Sequence, residues 1–284
     1  MDSIPDISAA RIRWVDVFAT GPLTGNPLAV VLCDAHPTRD AMQALAAELG
    51  LSETVFAARG DRPSIRIFTP ATEIPMAGHP LVGCAWVLHD EGWTGTDATL
   101  VAPGGDVVVS ADAAGADVAP PPPHHVRDVS ADEVARALGS TATGVAPVWN
   151  AGLSQVMLAV ENPQSLVPDH EAVRALGTRD GWHGVSAYRI EHASPGVVTA
   201  EVRHFAMPIG IAEDPVTGSA AGALGAALAA AGHAAHGVLH LTVRQGHGLG
   251  RAGAVRVAVQ TEGNVPVSLR VGGRVLPVMQ GVIG

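Results

Sequence analysis

The sequence contains no lysine, and this absence excludes several large classes of enzyme. All 17 basic residues among the 284 are arginine. A lysine Schiff base is therefore impossible, which excludes pyridoxal phosphate enzymes, and so is a phosphate-binding loop that ends in Gly-Lys. The formal net charge of −10 argues against a nucleic-acid partner, because such partners attract basic surfaces.

Cysteine is nearly absent as well. Only Cys33 and Cys84 occur, without Cys-x-x-Cys spacing, so a disulfide framework is excluded and we expect both thiols to be reduced and buried. The most apolar window, Ser219–Ala231, is shorter than a membrane span requires. The first residues show neither the basic nor the apolar region of a secretory signal, so we expect a cytoplasmic protein with no membrane association.

Motifs for metals and nucleotide cofactors are missing too. His233, His236 and His240 have a spacing that could mimic a metal site, but they lack an acidic partner and a glycine that would end a helix interrupts them. No Gly-x-Ser-x-Gly elbow occurs, and the glycines at 248 and 250 precede a predicted strand instead of a helix. We therefore predict no metal and no cofactor.

The most informative stretch that is present is Glu213–Leu228, where a predicted strand ends and a helix of small residues begins. Asp214 precedes a proline, which favours a turn at that point. Thr217 and Ser219 could cap the helix, and Gly218 would allow a ligand to approach the backbone. The first N–H groups of a helix have no partner within it, so a carboxylate or phosphate can bind there. The alternative is an ordinary capped helix start.

A second copy of this pattern lies 137 residues earlier. Arg66 begins a strand that leads through a turn to Gly78 and the apolar run Leu81–Leu88, as Arg203 leads to Gly218 and its helix. A repeat of this length predicts two similar lobes and excludes a solenoid, whose repeats are shorter. We expect the two helix N-termini to face one cleft, with an acidic residue beside the anion site.

Three polar residues stand out near predicted strand or helix starts. Glu53 follows a predicted helix and opens a strand between apolar neighbours; burial in a cleft would raise its pKa, as a general base requires, whereas the alternative is a solvated loop residue. His79 follows Gly78 in the first turn of a predicted helix and is either an acid/base group or a cap. Asn26 precedes a proline and is either a residue of the functional site or an ordinary turn residue.

The chain is long enough for two lobes that each bury a core. We predict an N-terminal lobe over 1–118, with a closing strand at about 274–284 that could complete it, and a C-terminal lobe over 126–273. Pro120–His125 would be the linker. Helices are predicted over 38–50, 79–90, 130–138, 168–176 and 220–228.

Five motifs are spread over nearly the whole chain. They are Val15-Asp-Val-Phe18 with Gly25-Asn-Pro27, Leu51-Ser-Glu-Thr54, Arg66 to Pro70 running to Ala77-Gly-His-Pro80, Glu213 to Ala220, and Gln245-Gly246 with Gly250-Arg251. Together they resemble the phenazine-biosynthesis PhzF-like proteins, which have a diaminopimelate epimerase-like fold. The resemblance implies an α+β fold of two pseudo-symmetric lobes, each a rolled, mostly antiparallel sheet around a central helix, with the active site between them and homodimers common.

The resemblance also implies roles for individual residues. Glu53 would be the proton-shuttling general acid/base, with His79 and Asp214 as its partners in the cleft. Related racemases use two cysteines near the positions of Ala77 and Ala220, and neither is cysteine here. The residues implied to bind substrate, including its carboxylate, are Asn26, Ser52, Gly78, Gly218 and Ser219.

These observations favour a cofactor-independent isomerase that moves a proton within a small carboxylate-bearing substrate. One alternative is a catalytically silent protein that binds a small anion. Another is an amino-acid racemase or epimerase that works without cysteine.

Overall fold

The computed structural model describes residue 7 and residues 9–284, which divide into two compact units. The first unit comprises the described residues up to Ala119 together with Gly272–Gly284, and the second comprises Pro120–Val271. No helix among the described residues is both long and apolar enough to cross a membrane.

The first unit contains eight strands of its own, two helices and the end of the last strand of the chain. In chain order these elements are β1 (Arg11–Val17), β2 (Asn26–Cys33), α1 (Arg39–Leu49), β3 (Thr54–Ala58), β4 (Ser64–Phe68), β5 (Glu73–Ile74), α2 (Gly78–Asp90), β6 (Asp97–Ala102), β7 (Gly105–Asp112) and β8 (Gly115–Ala119).

The second unit contains three α-helices and begins the last strand, β17, which continues into the first unit from Gly272. Its elements are β9 (His124–Ser130), α3 (Ala131–Ala137), β10 (Val145–Asn150), β11 (Ser154–Ala159), α4 (His170–Asp180), β12 (Gly184–Ser194), β13 (Val197–Ala206), β14 (Ile211–Asp214), α5 (Gly218–Leu228), β15 (Val238–Gln245), β16 (Gly253–Glu262) and β17 (Val265–Val282).

The two units repeat one topology. In the first, β1 and β2 are antiparallel, β2 and β3 are parallel across α1, β3 and β4 are antiparallel, and β4 and β6 are parallel across α2. In the second, β10 to β13 repeat these pairings across α4, and β13 and β15 are parallel across α5. The predicted repeat and the α+β fold class, with mostly antiparallel pairing, are therefore confirmed.

The central helices α2 and α5 are apolar on all sides, as a helix enclosed by its own sheet must be. Small residues mark their closest contacts with the strands. A Cβ atom on Gly83 of α2 would lie 2.5 Å from Leu28 Cδ2, and one on Gly225 of α5 would lie 2.9 Å from Val257 Cγ1. The predicted helices 79–90 and 220–228 are confirmed, and each begins slightly earlier than predicted.

An arginine–glutamate pair recurs in front of each central helix. Arg66 on β4 donates Nε to Glu73 Oε1 at 2.7 Å and Nη2 to Oε2 at 2.6 Å; Arg203 on β13 makes the same two bonds to Glu213 at 2.9 and 2.8 Å. Each guanidinium also lies over the phenylalanine two positions further along, 5.4 and 4.8 Å from the ring centroid. These two-pronged pairs fix the short strand that leads into each helix.

The outer helices, α1 and α4, have ordinary caps. Thr38 Oγ1 accepts a hydrogen bond from Ala41 N at the start of α1, and Gly50 ends that helix with φ 63°, as predicted. Helix α4 runs to Asp180 although the prediction ended it at 176. Gly177 lies within the helix and allows close packing, because a Cβ atom there would lie 2.3 Å from Pro208 Cγ.

Two other boundaries differ from the prediction. Strand β9 begins at His124, inside the predicted linker 120–125. The predicted closing strand is the continuation of β17, whose end pairs with β1 in the first unit.

Candidate active site

Glu53 lies in the short connection between α1 and β3. Its side chain is 14% exposed, and Oε2 is buried with no hydrogen-bond partner among the described residues. Burial raises the pKa of this carboxyl group, and a hydrogen bond from Ser52 acts in the opposite direction. Glu53 is therefore a desolvated carboxyl group, as the prediction required for a general base, and Ser52 is its polar neighbour.

His79, in the first turn of α2, lies next to this carboxyl group. Its Nε2 is 3.5 Å from Glu53 Oε2, and its side chain is only 7% exposed. The sequence suggested Asp214 as the partner of His79, and that pairing stays a prediction because Asp214 belongs to the other unit. Within the first unit, the structure brings together Glu53 and His79.

Helix α2 begins without the usual stabilisation of its N-terminus. Ala77 is the N-cap and offers no side-chain acceptor, and the first turn holds no acidic residue. The amide groups at Gly78 and after it therefore stand at the positive end of the helix without a capping side chain.

Asn26 is the first residue of β2 instead of part of the predicted turn, and it is 1% exposed. It pairs with Val17, and β2 runs beside β3, the strand that Glu53 precedes. The chain between β1 and β2 is tightly folded: Phe18 has φ 59°, an uncommon value for an aromatic residue. Asn26 is thus a buried polar residue at the end of a constrained turn.

In the second unit, Asp214 ends β14 and is 8% exposed. The Thr217 hydroxyl donates a hydrogen bond to its carboxylate. The prediction that Thr217 caps α5 through its hydroxyl is therefore wrong. Its proton is donated to Asp214, and its oxygen accepts a hydrogen bond from Gln245 Nε2 instead of from a helix amide. Like α2, α5 has no side-chain cap and no acidic residue in its first turn.

Gln245, at the end of β15, holds this loop together. Its Nε2 donates to Asp214 O at 2.8 Å and to Thr217 Oγ1 at 3.1 Å, and its Oε1 accepts from Thr217 N at 3.3 Å. Gly246 follows it with φ 82°, and a Cβ atom there would lie 2.6 Å from Pro215 O. The Gln-Gly dipeptide had been noted in the sequence as a motif, but its role here was missed.

Ser219 is the second residue of α5 and does not cap the helix, contrary to the prediction. Its Oγ accepts a hydrogen bond from Gln155 Nε2 at 3.1 Å. Gln155 lies on β11 and is 1% exposed. No sequence pattern pointed to Gln155, which is a single glutamine within an apolar strand.

The repeat allows the two halves to be compared position by position. In each unit, the strand after α1 or α4 pairs with the strand that carries the Arg-x-Phe segment. Thr54 lies opposite Phe68 in the first unit, and Val185 lies opposite Phe205 in the second. The residue before Thr54 is Glu53, and the residue before Val185 is Gly184. The second unit therefore lacks a carboxyl group at the position of Glu53.

A histidine fills the space at that position instead. A Cβ atom on Gly184 would lie 2.7 Å from His204 Nε2. The His204 Nδ1 and Ser186 Oγ are 3.0 Å apart, and burial lowers the pKa of His204 to about 4. This imidazole is neutral at physiological pH, so it cannot supply a buried positive charge.

The thiols do not take part in this arrangement. Both Cys33 and Cys84 are free and buried, which confirms the prediction, and burial raises their pKa values to about 11 and about 12. The residues before the two helix-starting glycines are the N-caps Ala77 and Thr217. By position in the repeat, the counterpart of Ala77 is therefore Thr217, whereas the resemblance implied a position near Ala220.

A comparison with known families agrees with this geometry. The model of the phenazine biosynthesis-like proteins matches residues 15–281. The chain belongs to this phenazine biosynthesis-like family. The resemblance noted in the sequence is thereby confirmed.

Individual relatives of this phenazine biosynthesis-like protein cover nearly its whole length. An uncharacterized isomerase of Mesorhizobium japonicum is 33% identical over 94% of this chain and 96% of its own. The trans-2,3-dihydro-3-hydroxyanthranilate isomerase of Pseudomonas chlororaphis is 34% identical over 84% of this chain and 86% of its own. The protein is an isomerase of this family.

A solved structure shows the same fold. The PhzF-family phenazine biosynthesis protein of Bacillus anthracis superposes with a TM-score of 0.85 over 97% of this chain and 99% of its own, at 23% identity. The fold of this phenazine biosynthesis-like protein is thus the diaminopimelate epimerase-like fold that the motifs implied.

Proposed function

We propose that this phenazine biosynthesis-like protein is a cofactor-independent isomerase that moves a proton between two carbon atoms of a small carboxylate-bearing substrate. The observation that carries the proposal is the buried Glu53 carboxyl group, whose Oε2 has no hydrogen-bond partner among the described residues and lies 3.5 Å from His79 Nε2. Cofactor independence is supported by the lack of any lysine for a Schiff base.

The chemistry follows from the environment of Glu53. As a carboxylate it accepts a proton from one carbon of the substrate, and as a neutral carboxylic acid it returns that proton to another carbon, so the reaction leaves the enzyme unchanged. Burial favours the neutral acid and so strengthens the base. His79 is placed to donate a hydrogen bond to the substrate or to Glu53 while charge develops.

The helix N-termini supply the sites for the carboxylate. Gly78 and Gly218 begin helices with no capping side chain, and an anion there meets free amide groups and the positive end of the helix dipole. Ser219 adds a donor: because its Oγ accepts a hydrogen bond from Gln155, its own proton is directed elsewhere and is available for the substrate. Asp214 is proposed as the second acidic group of the site, where it accepts hydrogen bonds, as it does from Thr217, and is not a second base.

The pseudo-repeat favours a single base over a pair. Inversion of a stereocentre by a racemase uses two bases on opposite sides of the carbon, whereas a proton shift within one molecule needs one. The counterpart of Glu53 is Gly184, and the hydroxyl of Thr217 is already engaged with Asp214. This arrangement supports isomerisation and argues against the cysteine-independent racemase.

The first compound to test is the one named for the Pseudomonas chlororaphis relative, trans-2,3-dihydro-3-hydroxyanthranilate. We expect the wild-type protein to convert it, followed by NMR in deuterated water, and we expect Glu53→Gln to lose about 10²- to 10⁴-fold in rate. Glu48→Gln changes an exposed glutamate of α1 in the same way and is the matched control.

Two outcomes would count against the proposal. If Glu53→Gln keeps the wild-type rate, Glu53 is not the acid/base group. If the wild-type protein binds small carboxylates but neither isomerises any of them nor places solvent deuterium on carbon, the protein is a silent anion-binding member of the family.

A further inference from the structure

Gln155 carries an unsatisfied acceptor at the first turn of α5. The residue is 1% exposed on β11. Its Nε2 is bound to Ser219 Oγ, whereas Oε1 is buried and has no hydrogen-bond partner in the described part of the chain. A buried amide oxygen without a donor is unfavourable, so such atoms are rare unless a ligand or a water molecule donates a hydrogen bond to them.

The surrounding loop does not supply the missing donor. Between β10 and β11, Asn150 Oδ1 accepts from Gly152 N at 2.9 Å and Asn150 Nδ2 donates to Ser154 Oγ at 3.2 Å. Gly152 reaches the helix, since a Cβ atom on it would lie 3.9 Å from Ser219 Cβ. Both polar atoms of the Asn150 side chain are therefore used within the loop, and neither is bonded to Gln155 Oε1.

The position of this oxygen relative to the proposed carboxylate site is informative. The oxygen and nitrogen of the Gln155 amide are bonded to one carbon, and the nitrogen is held by Ser219, which we assign to the carboxylate. A ligand group that donates to Oε1 therefore lies beside the carboxylate and not at the far end of the molecule.

We propose that Gln155 is a specificity-determining residue that accepts a hydrogen bond from an amino or hydroxyl group next to the substrate carboxylate. This inference rests on the proposed function, because it takes the carboxylate to bind at Gly218 and Ser219. It narrows the proposed substrates from small carboxylates in general to those that carry a hydrogen-bond donor on a carbon next to the one that bears the carboxylate.

The test compares two probes that differ by one donor, benzoate and 2-aminobenzoate, by isothermal titration calorimetry. The wild-type protein should bind 2-aminobenzoate roughly 2- to 12-fold more tightly, as one neutral hydrogen bond allows. Gln155→Met keeps the length of the side chain but removes its acceptor, so the two affinities should become equal. Gln260→Met, at an exposed position of β16, should leave both affinities unchanged.

A further variant separates this inference from the function on which it rests. Ser219→Ala should lower the affinity for both probes and leave the ratio of the two affinities unchanged. If Gln155→Met keeps the wild-type ratio while Ser219→Ala lowers both affinities, the proposed role of Gln155 is overturned and the carboxylate site is retained. If neither probe binds the wild type, or Ser219→Ala affects neither, both the site and the inference are overturned.

If Gln155→Met does not fold, NMR of the wild-type protein tests the same inference. In 15N-labelled protein, 2-aminobenzoate should shift the side-chain amide resonances of Gln155 more than benzoate does. Equal shifts with both probes would overturn the inference.

Discussion

The desolvation of Glu53 can be tested without a substrate, through the pH dependence of stability in Glu53→Gln. Burial raises the pKa of this carboxyl group above its usual value of 4.5, so the folded protein binds the proton more tightly than the unfolded chain does. The stability contributed by the protonated group is complete below the unfolded pKa and is lost as the pH rises to the folded pKa. Glutamine has no proton to lose, so the variant avoids this loss.

The expected magnitude follows from linkage. Between the unfolded-state and folded-state pKa values of Glu53, the free energy of unfolding of Glu53→Gln minus that of the wild type should increase by about 1.4 kcal/mol for each pH unit. Above the folded-state pKa, this difference should become constant. Below the unfolded pKa, the difference should not depend on pH.

Urea unfolding of both proteins from about pH 4 to pH 8 measures this difference directly. Glu48→Gln makes the same chemical change on the exposed side of α1 and is the matched control. A stability difference for Glu53→Gln with the same pH dependence as that of the control would show that the Glu53 carboxylate is hydrated or paired in solution. The basis for assigning it as the general base would then be lost.

Two further predictions concern the framework around the site. Gln245→Ala removes three hydrogen bonds to Asp214 and Thr217 and should cost roughly 1 kcal/mol for each in the free energy of unfolding; an unfolding midpoint in urea equal to that of wild type would contradict this. Gly83→Ala places a methyl group 2.5 Å from Leu28 Cδ2 at the contact between α2 and its sheet, so we expect a loss of about 1 to 3 kcal/mol, and an unchanged thermal midpoint would show that the helix shifts freely.

The sequence by itself determined those features that depend on neighbouring residues. The strand, turn and helix after Arg66 and after Arg203 could be recognised as a repeat because their hydrophobic pattern and glycines act locally. The two central helices followed from the same signals, to within two residues of their starts at Gly78 and Gly218. Glu53 could be singled out because a lone carboxylate between apolar residues at a strand start is unusual.

The hydrogen-bond partners of the site residues were decided only by the tertiary structure. Gln155 binds Ser219 across 64 residues and Gln245 binds Thr217 across 28, and no local pattern encodes such distances. A hydroxyl at a helix start caps the helix only if its oxygen is turned towards the helix amides. For Thr217 the folded chain supplies Asp214 as acceptor and Gln245 as donor, and both lie within the loop. The contact of Glu53 with His79 likewise exists only because the connection between α1 and β3 meets the start of α2 in the folded first unit.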